Sequence, residues 1–143
     1  MNCFICKFAN PSIYLTNKYN LPIKLMSKSS CSSLNCIYVL TCKKCHLQYV
    51  GETDNFYKRF SNHISSIKCF KRSGREPTKV ASHFNGICNL NDLSFQIFIT
   101  DFIQYRLRLE DDLQIILDTK DPNGLNEFIN KKINSLENYI KIL

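Results

Sequence analysis

The stretch Cys36-Ile37-Tyr38-Val39-Leu40-Thr41-Cys42-Lys43-Lys44-Cys45-His46-Leu47-Gln48-Tyr49-Val50-Gly51 decides the fold. Its first part is β-branched, aromatic or apolar, Cys42-Lys43-Lys44-Cys45 makes a polar turn, and Leu47 to Val50 repeats the earlier character. That pattern predicts a β-hairpin. Gly51 ends the second strand. Thr53 or Asp54 is placed to cap a helix from about Asn55 to Ile67, in which Phe56, Phe60, Ile64 and Ile67 recur at helical spacing and form the buried face. Arg59 and His63 are one turn apart and make a neighbouring stripe along a groove edge.

Downstream, Val80 to Phe84 reads as a short helix, and Leu93 to Thr100 reads as a third strand between Asn91-Asp92 and Asp101. A long helix is expected from Ile103 to Thr119, broken by Lys120-Asp121-Pro122-Asn123-Gly124. A last helix is expected from about Glu127, carrying Phe128, Ile129, Ile133, Leu136, Tyr139 and Ile140. Upstream, Pro11, Pro22 and the serine-rich run 27–33 interrupt any period. Residues 1–33 are therefore expected to be an irregular, cysteine-containing extension with a short strand near Ile13-Tyr14-Leu15, and 34–143 the domain proper. No internal repeat is evident.

A chain of 143 residues suits one domain with a real core. The start Met1-Asn2-Cys3-Phe4-Ile5-Cys6-Lys7 lacks the pattern of a secretory leader, and no apolar run is of membrane-spanning length. An intracellular, nuclear location is the expectation, with no membrane partner. In a reducing compartment the 8 cysteines are better read as metal ligands or free thiols than as disulfides.

The net charge of +7 is uneven: residues 1–90 carry 13 Lys and Arg against 3 Asp and Glu, whereas residues 91–143 carry 6 against 9. Lys68, Lys71, Arg72, Arg75 and Lys79 surround Ser73-Gly74 in a segment that reads as an exposed loop, able to track nucleic-acid phosphates or simply solvated. Lys58 adds to this basic surface.

On the long helix, Glu110 falls on the stripe of Ile103, Leu107, Leu113 and Leu117, while Asp111 and Asp112 are expected to turn toward solvent. A carboxylate among apolar groups costs free energy unless it is paired or bound to a cation. An ion pair with Arg106 and a divalent-metal site both remain open on this spacing.

Cys36-Ile37-Tyr38, Tyr49-Val50-Gly51, Arg59, His63, Glu110 and Gly124-Leu125-Asn126 occur in the order and spacing that resemble the GIY-YIG endonuclease superfamily. Cys36 stands where the family's name motif has its first glycine, a strand position. More narrowly, Cys42-Lys43-Lys44-Cys45, Tyr49-Val50-Gly51-Glu52-Thr53, Ala81-Ser82-His83-Phe84-Asn85 and Gly124-Leu125-Asn126-Glu127 resemble the GIY-YIG domain of Penelope-like retroelements. The resemblance implies an α+β fold: a small three-stranded antiparallel sheet flanked by helices, with catalytic groups on one face. It implies Tyr38 as general base or positioner of the attacking water, with Tyr49 lining the site and ordering the nucleophile. A tyrosine with a pKa of about 10 then needs help from a metal-bound water, from His63 or from nearby positive charge. Arg59 would stabilise the pentavalent phosphate, Glu110 would hold Mg²⁺ or Mn²⁺, and Asn126 would orient the phosphate or the Glu110 region.

The Cys42 and Cys45 pair also has the spacing of half a structural zinc site. His83 and Cys88 supply the other half, where Penelope-like domains carry the rest of a Cys-Cys-His-His set; with Cys88 as the last ligand the site becomes Cys3His. Cys3, Cys6, Cys31 and Cys36 are candidates for a second zinc, and Cys69 is expected to be a free thiol. The resulting expectation is a metal-dependent DNA-nicking endonuclease, working with a reverse transcriptase in cis or in trans. The alternative is a catalytically inactive, zinc-stabilised nucleic-acid-binding module.

Overall fold

The computed structural model describes residues 4–12, 14–16, 22–24, 30–69, 77–99, 103–127 and 141–142. Two short strands, β1 (Tyr14–Thr16) and β2 (Pro22–Lys24), precede the predicted hairpin of β3 (Leu34–Cys42) and β4 (Gln48–Asn55). Helix α1 (Phe56–Lys68), helix α2 (Lys79–His83), strand β5 (Leu93–Ile99), helix α3 (Ile103–Ile116) and strand β6 (Lys141–Ile142) follow. The fold is α+β. Its main sheet has the order β4-β3-β5, antiparallel throughout, with Tyr38 opposite Gly51 on one side and Ile97 on the other.

Strand β3 is covered on both faces. Cys36, Tyr38, Leu40 and Cys42 pack with Phe56, Phe60, Ile64 and Ile67 of α1, while Ile37 and Val39 pack with Leu109, Leu113 and Leu117 along α3. Burial on both sides is why this strand reads as a near-continuous apolar run instead of an alternating one. Helix α1 buries the four residues expected of it, but its cap is Asn55, whose side chain accepts from the Lys58 amide. Strand β4 continues through Asp54, and the Thr53 hydroxyl shapes the strand-to-helix corner by bonding the Asn55 backbone.

The N-terminal segment has a strand, β1, close to where a short one was expected, and it also packs on the main sheet's two cores. Ile5 and Phe8 are buried in the α1-side core, a 3-10 turn spans Cys6–Phe8, and the Asn10 amide donates to the Phe95 carbonyl. Leu15 of β1 is buried on the α3 side, so both cores draw on residues before Leu34. A second antiparallel sheet has the order β1-β2-β6. The helix expected from about Glu127 falls on 128–140, outside the described residues.

Helix α3 also differs from the reading of its stripe. Leu113 and Leu117 are buried as expected, but Leu107 is 47% exposed and Leu109 takes its place in the core. Asp112, expected at the surface, is 1% exposed. The helix lies across β3 and β4, so its covered face is wide and admits polar groups that serve the sheet: the Gln114 amide donates to the Val50 carbonyl, and Arg106 reaches Glu52 and Asp54. It ends early because Asp118 adopts a left-handed conformation (φ 52°). The Thr119 amide then bonds the Gln114 carbonyl and the Asp118 amide the Ile115 carbonyl, the paired bonds of a Schellman stop.

The loop after α3 returns to the open edge of β4. A Cβ on Gly124 would stand 2.4 Å from Thr119 Cα, so only glycine allows this close passage. Leu125 then enters the α1-side core, and its amide bonds the Gln48 carbonyl.

Candidate active site and metal cluster

Tyr38 lies across Gly51 of the adjacent strand. A Cβ at Gly51 would be 2.5 Å from the Tyr38 ring and hydroxyl, so the glycine is what lets the ring cross the strand. The Tyr38 hydroxyl is 2.8 Å from His63 Nε2. Burial raises the hydroxyl well above the usual tyrosine range, while burial and then the Arg59 charge lower His63 to about 4. Near neutral pH Tyr38 is therefore the donor and the neutral imidazole the acceptor. The Tyr49 ring packs 6.0 Å from that of Tyr38 and 5.5 Å from that of His63, and burial raises its hydroxyl too.

These groups back onto a cavity of about 300 Å³ at the open edge of β4. It is lined by Tyr49 of β4, His63 of α1, Thr78, Lys79 and Val80 at the start of α2, Glu110 and Gln114 of α3, and Leu125, Asn126 and Glu127 of the following loop. Tyr38 is fully buried behind Tyr49 and His63. Glu110 is half-buried, and its carboxyl is pushed up to about 7, chiefly by burial and then by Glu52 and Asp111, with Arg59 and Arg106 opposing. The choice left open for Glu110 is narrowed by where Arg106 goes. That guanidinium is 2.6 Å from Glu52 and 3.4 Å from Asp54.

Glu110 thus offers a hard oxygen donor in an open cavity, and a dication beside it would offset the unfavourable burial of its charge. The residues fit a Mg²⁺ or Mn²⁺ site. Arg59 is exposed on α1, and its charge acts on Tyr38, Tyr49, His63 and Glu110 alike.

Asn126 is committed to the sheet. Its Oδ1 accepts from the Val50 amide at 2.9 Å and its Nδ2 donates to the Val50 carbonyl at 3.0 Å, so it pairs with the open edge of β4 as another strand would. Both groups of its side chain thus grip the backbone between Tyr49 and Gly51, and Asn126 also lines the cavity that Glu110 lines. Gln114 shares that carbonyl and was missed in the sequence. Its signal was its place one turn beyond Glu110.

At the far end of the hairpin, the donor atoms of Cys42, Cys45, His83 and Cys88 all lie within 4.8 Å of one another. Cys45 Sγ and His83 Nε2 are 3.1 Å apart. The turn holds its shape through the His46 amide on the Cys42 carbonyl, with His46 in the left-handed region (φ 65°). It is tied to the later segment by the Lys43 amide on the Asp92 carbonyl and by Lys44 Nζ on the Ile87 carbonyl. Burial raises the Cys45 and Cys88 thiols and keeps the His83 imidazole neutral. Zinc bonds of about 2.3 Å place tetrahedral ligands slightly under 4 Å apart, so this donor set fits a Cys3His zinc.

The second cysteine set is less complete. Cys3 is outside the described residues; Cys6 is disulfide-bonded, with its Sγ 3.5 Å from that of Cys31; and Cys36 is a buried core thiol raised to about 11, chiefly by burial. Among the described residues, Cys42, Cys45, His83 and Cys88 are the group of three or more donors that converges. Cys69 is free and exposed, as expected. Lys58, Lys68 and Lys79 are exposed, and Lys71, Arg72 and Arg75 are outside the described residues.

A family model described as the GIY-YIG catalytic domain matches residues 34–106. No curated protein and no solved structure matches the chain. The matched span holds both tyrosines, Arg59, His63 and the four clustered donors, and it stops short of Glu110 and Asn126. With that match over a β4-β3-β5 sheet that carries both tyrosines, the chain belongs to the GIY-YIG catalytic domain family, a family of metal-dependent nucleases.

Proposed function

We propose that this chain is an endonuclease that hydrolyses DNA phosphodiester bonds by metal-dependent nicking. The observation that carries the proposal is the Tyr38–His63 hydrogen bond, beside a cavity lined by Tyr49, His63 and Glu110. The Tyr49 ring packs against those of Tyr38 and His63, and Tyr38 donates to His63. A proton leaving a water ordered at Tyr49 therefore has neutral His63 as its final acceptor, and neither buried tyrosine has to persist as an anion. Arg59 places positive charge where the phosphoryl group becomes more negative. Glu110 would hold a divalent cation, which when bound would supply further positive charge to the phosphate oxygens and the departing 3′ oxygen. Asn126 and Gln114 fix the strand on which Tyr49 stands.

The Cys3His cluster is a structural zinc site in this reading, joining the hairpin to the segment after α1. Its coming together in space supports the narrower proposal of descent from a Penelope-like retroelement. A nick would then expose a 3′ hydroxyl for a reverse transcriptase in cis or in trans, in the nucleus.

Nicking of supercoiled plasmid in Mg²⁺ or Mn²⁺ tests the proposal. Wild type is expected to yield open circles, with Glu110→Ala and Tyr38→Phe reducing the rate by about 10²-fold or more. Salt-sensitive DNA binding without nicking would replace this reading with that of an inactive binding module.

A further inference from the structure

We propose that Lys79 grips a phosphate of the substrate strand next to the scissile one, and that Asp121 holds this lysine at the cavity until the strand arrives. The inference rests on reading the cavity as a phosphodiester site. Helix α2 is only five residues long, with Lys79 at its start and the metal donor His83 at its end. Buried Val80 and Ala81 pin it to the core between these two points. Lys79 cannot drift far from a cavity wall whose support is tied to the cysteine cluster.

Across the mouth, Lys79 Nζ is 3.5 Å from Asp121 Oδ2, with side-chain exposures of 50% and 41%. Asp121 belongs to the loop that docks on β4, and its amide bonds the Asn126 carbonyl. The ion pair therefore ties the cavity-lining start of α2 to the loop that carries Leu125 and Asn126. An exposed pair of this kind contributes little to stability, so a phosphate can replace the carboxylate at small cost. The need for a cation here follows from the other charges: Glu110 and Glu127 line the cavity, and Arg59 lies on the α1 side. Among the described residues that line the cavity Lys79 is the cation, so a strand lying across Glu110 has Arg59 on the α1 side and Lys79 at the cavity itself. A lysine suits this task, since one phosphate needs a mobile point charge and no fixed fork of donors.

Binding to a DNA duplex without added Mg²⁺, measured by fluorescence anisotropy from 50 to 200 mM salt, tests the assignment. Lys79→Ala is expected to reduce the slope of log affinity against log salt by about 0.9, so that its deficit shrinks about threefold across that range. Lys79→Arg should keep the wild-type slope. Asp121→Asn should bind more tightly than wild type, and the Lys79→Ala/Asp121→Asn double variant should match Lys79→Ala, because Asp121 acts through the lysine. In nicking assays Lys79→Ala should raise KM and leave kcat within a few-fold. An unchanged salt slope in Lys79→Ala, or Asp121→Asn weakening binding as Lys79→Ala does, overturns the assignment. Absence of nicking by wild type would instead overturn the endonuclease reading, while the binding measurements would still decide the role of Lys79.

Discussion

At the scale of single residues, the proposed activity turns on one hydrogen bond, between Tyr38 and His63, with burial favouring the protonated hydroxyl and the neutral imidazole. Tyr38→Phe keeps the packed ring and removes only the hydroxyl, so thermal stability should change by no more than about 1 kcal/mol while nicking is lost. Gly51→Ala does the reverse: its methyl group would press on the Tyr38 ring, costing about 1–3 kcal/mol by chemical denaturation. The pH dependence carries two opposed signs. His63 is lowered to about 4 from an unfolded value near 6.5, so the unfolded chain binds more protons between these values; this stability is present above pH 6.5 and lost as pH falls toward 4. Glu110 is raised to about 7, so its contribution runs the other way, favouring the fold at low pH and fading as pH rises from about 4.3 to 7. Denaturation across pH 4–7 without added Mg²⁺ should show the two partly cancelling in wild type. His63→Gln should leave a stability that falls with rising pH, and Glu110→Gln one that rises. Tyr38, Tyr49, Arg59, His63 and Glu110 were singled out through the family resemblance; the structure bonds Tyr38 to His63 and brings Tyr49, His63 and Glu110 to one cavity. Asn126 was legible as a position but not as a contact, since its partner depends on which backbone edge the fold leaves open.

At the scale of elements, periodicity gave the four buried positions of α1 and misread α3. Helix α1 covers the sheet with a single apolar stripe, which is the case periodicity describes. Helix α3 covers two strands and buries Arg106, Asp112 and Gln114 beside its leucines, and no apolar count anticipates polar residues turned toward a sheet. Arg106→Ala should leave the Glu52 charge unpaired in a partly dry site and cost roughly 2–4 kcal/mol, toward the lower end because Glu52 keeps some contact with water. The hairpin turn raises a second element-scale expectation. Purified protein should carry about one zinc per chain, and both chelation and Cys42→Ser should lower the melting temperature. Protein that binds no zinc and is unmoved by chelation would remove the cluster from the account.

At the scale of the whole molecule, the centre of the fold could be read from Cys36 to Gly51, but its margins could not. Pro11, Pro22 and the serine run break any period in the first part of the chain, yet Pro22 opens a strand and Ile5, Phe8 and Leu15 reach into the two cores through isolated contacts that carry no period. The same limit applies to β4. As an outer strand it has a row of unpaired amides and carbonyls that any extended chain could join, and a hairpin alone gives no hint of how that row is covered. Here Leu125, Asn126 and Gln114 occupy it at Gln48 and Val50. An Asn126→Leu variant keeps the bulk and loses both bonds to Val50, so beyond weakening the site it should leave the strand open to a neighbouring copy. Size-exclusion chromatography should then show stronger concentration-dependent association for the variant than for wild type. The asparagine that steadies the catalytic strand would in that case also keep separate molecules from joining edge to edge.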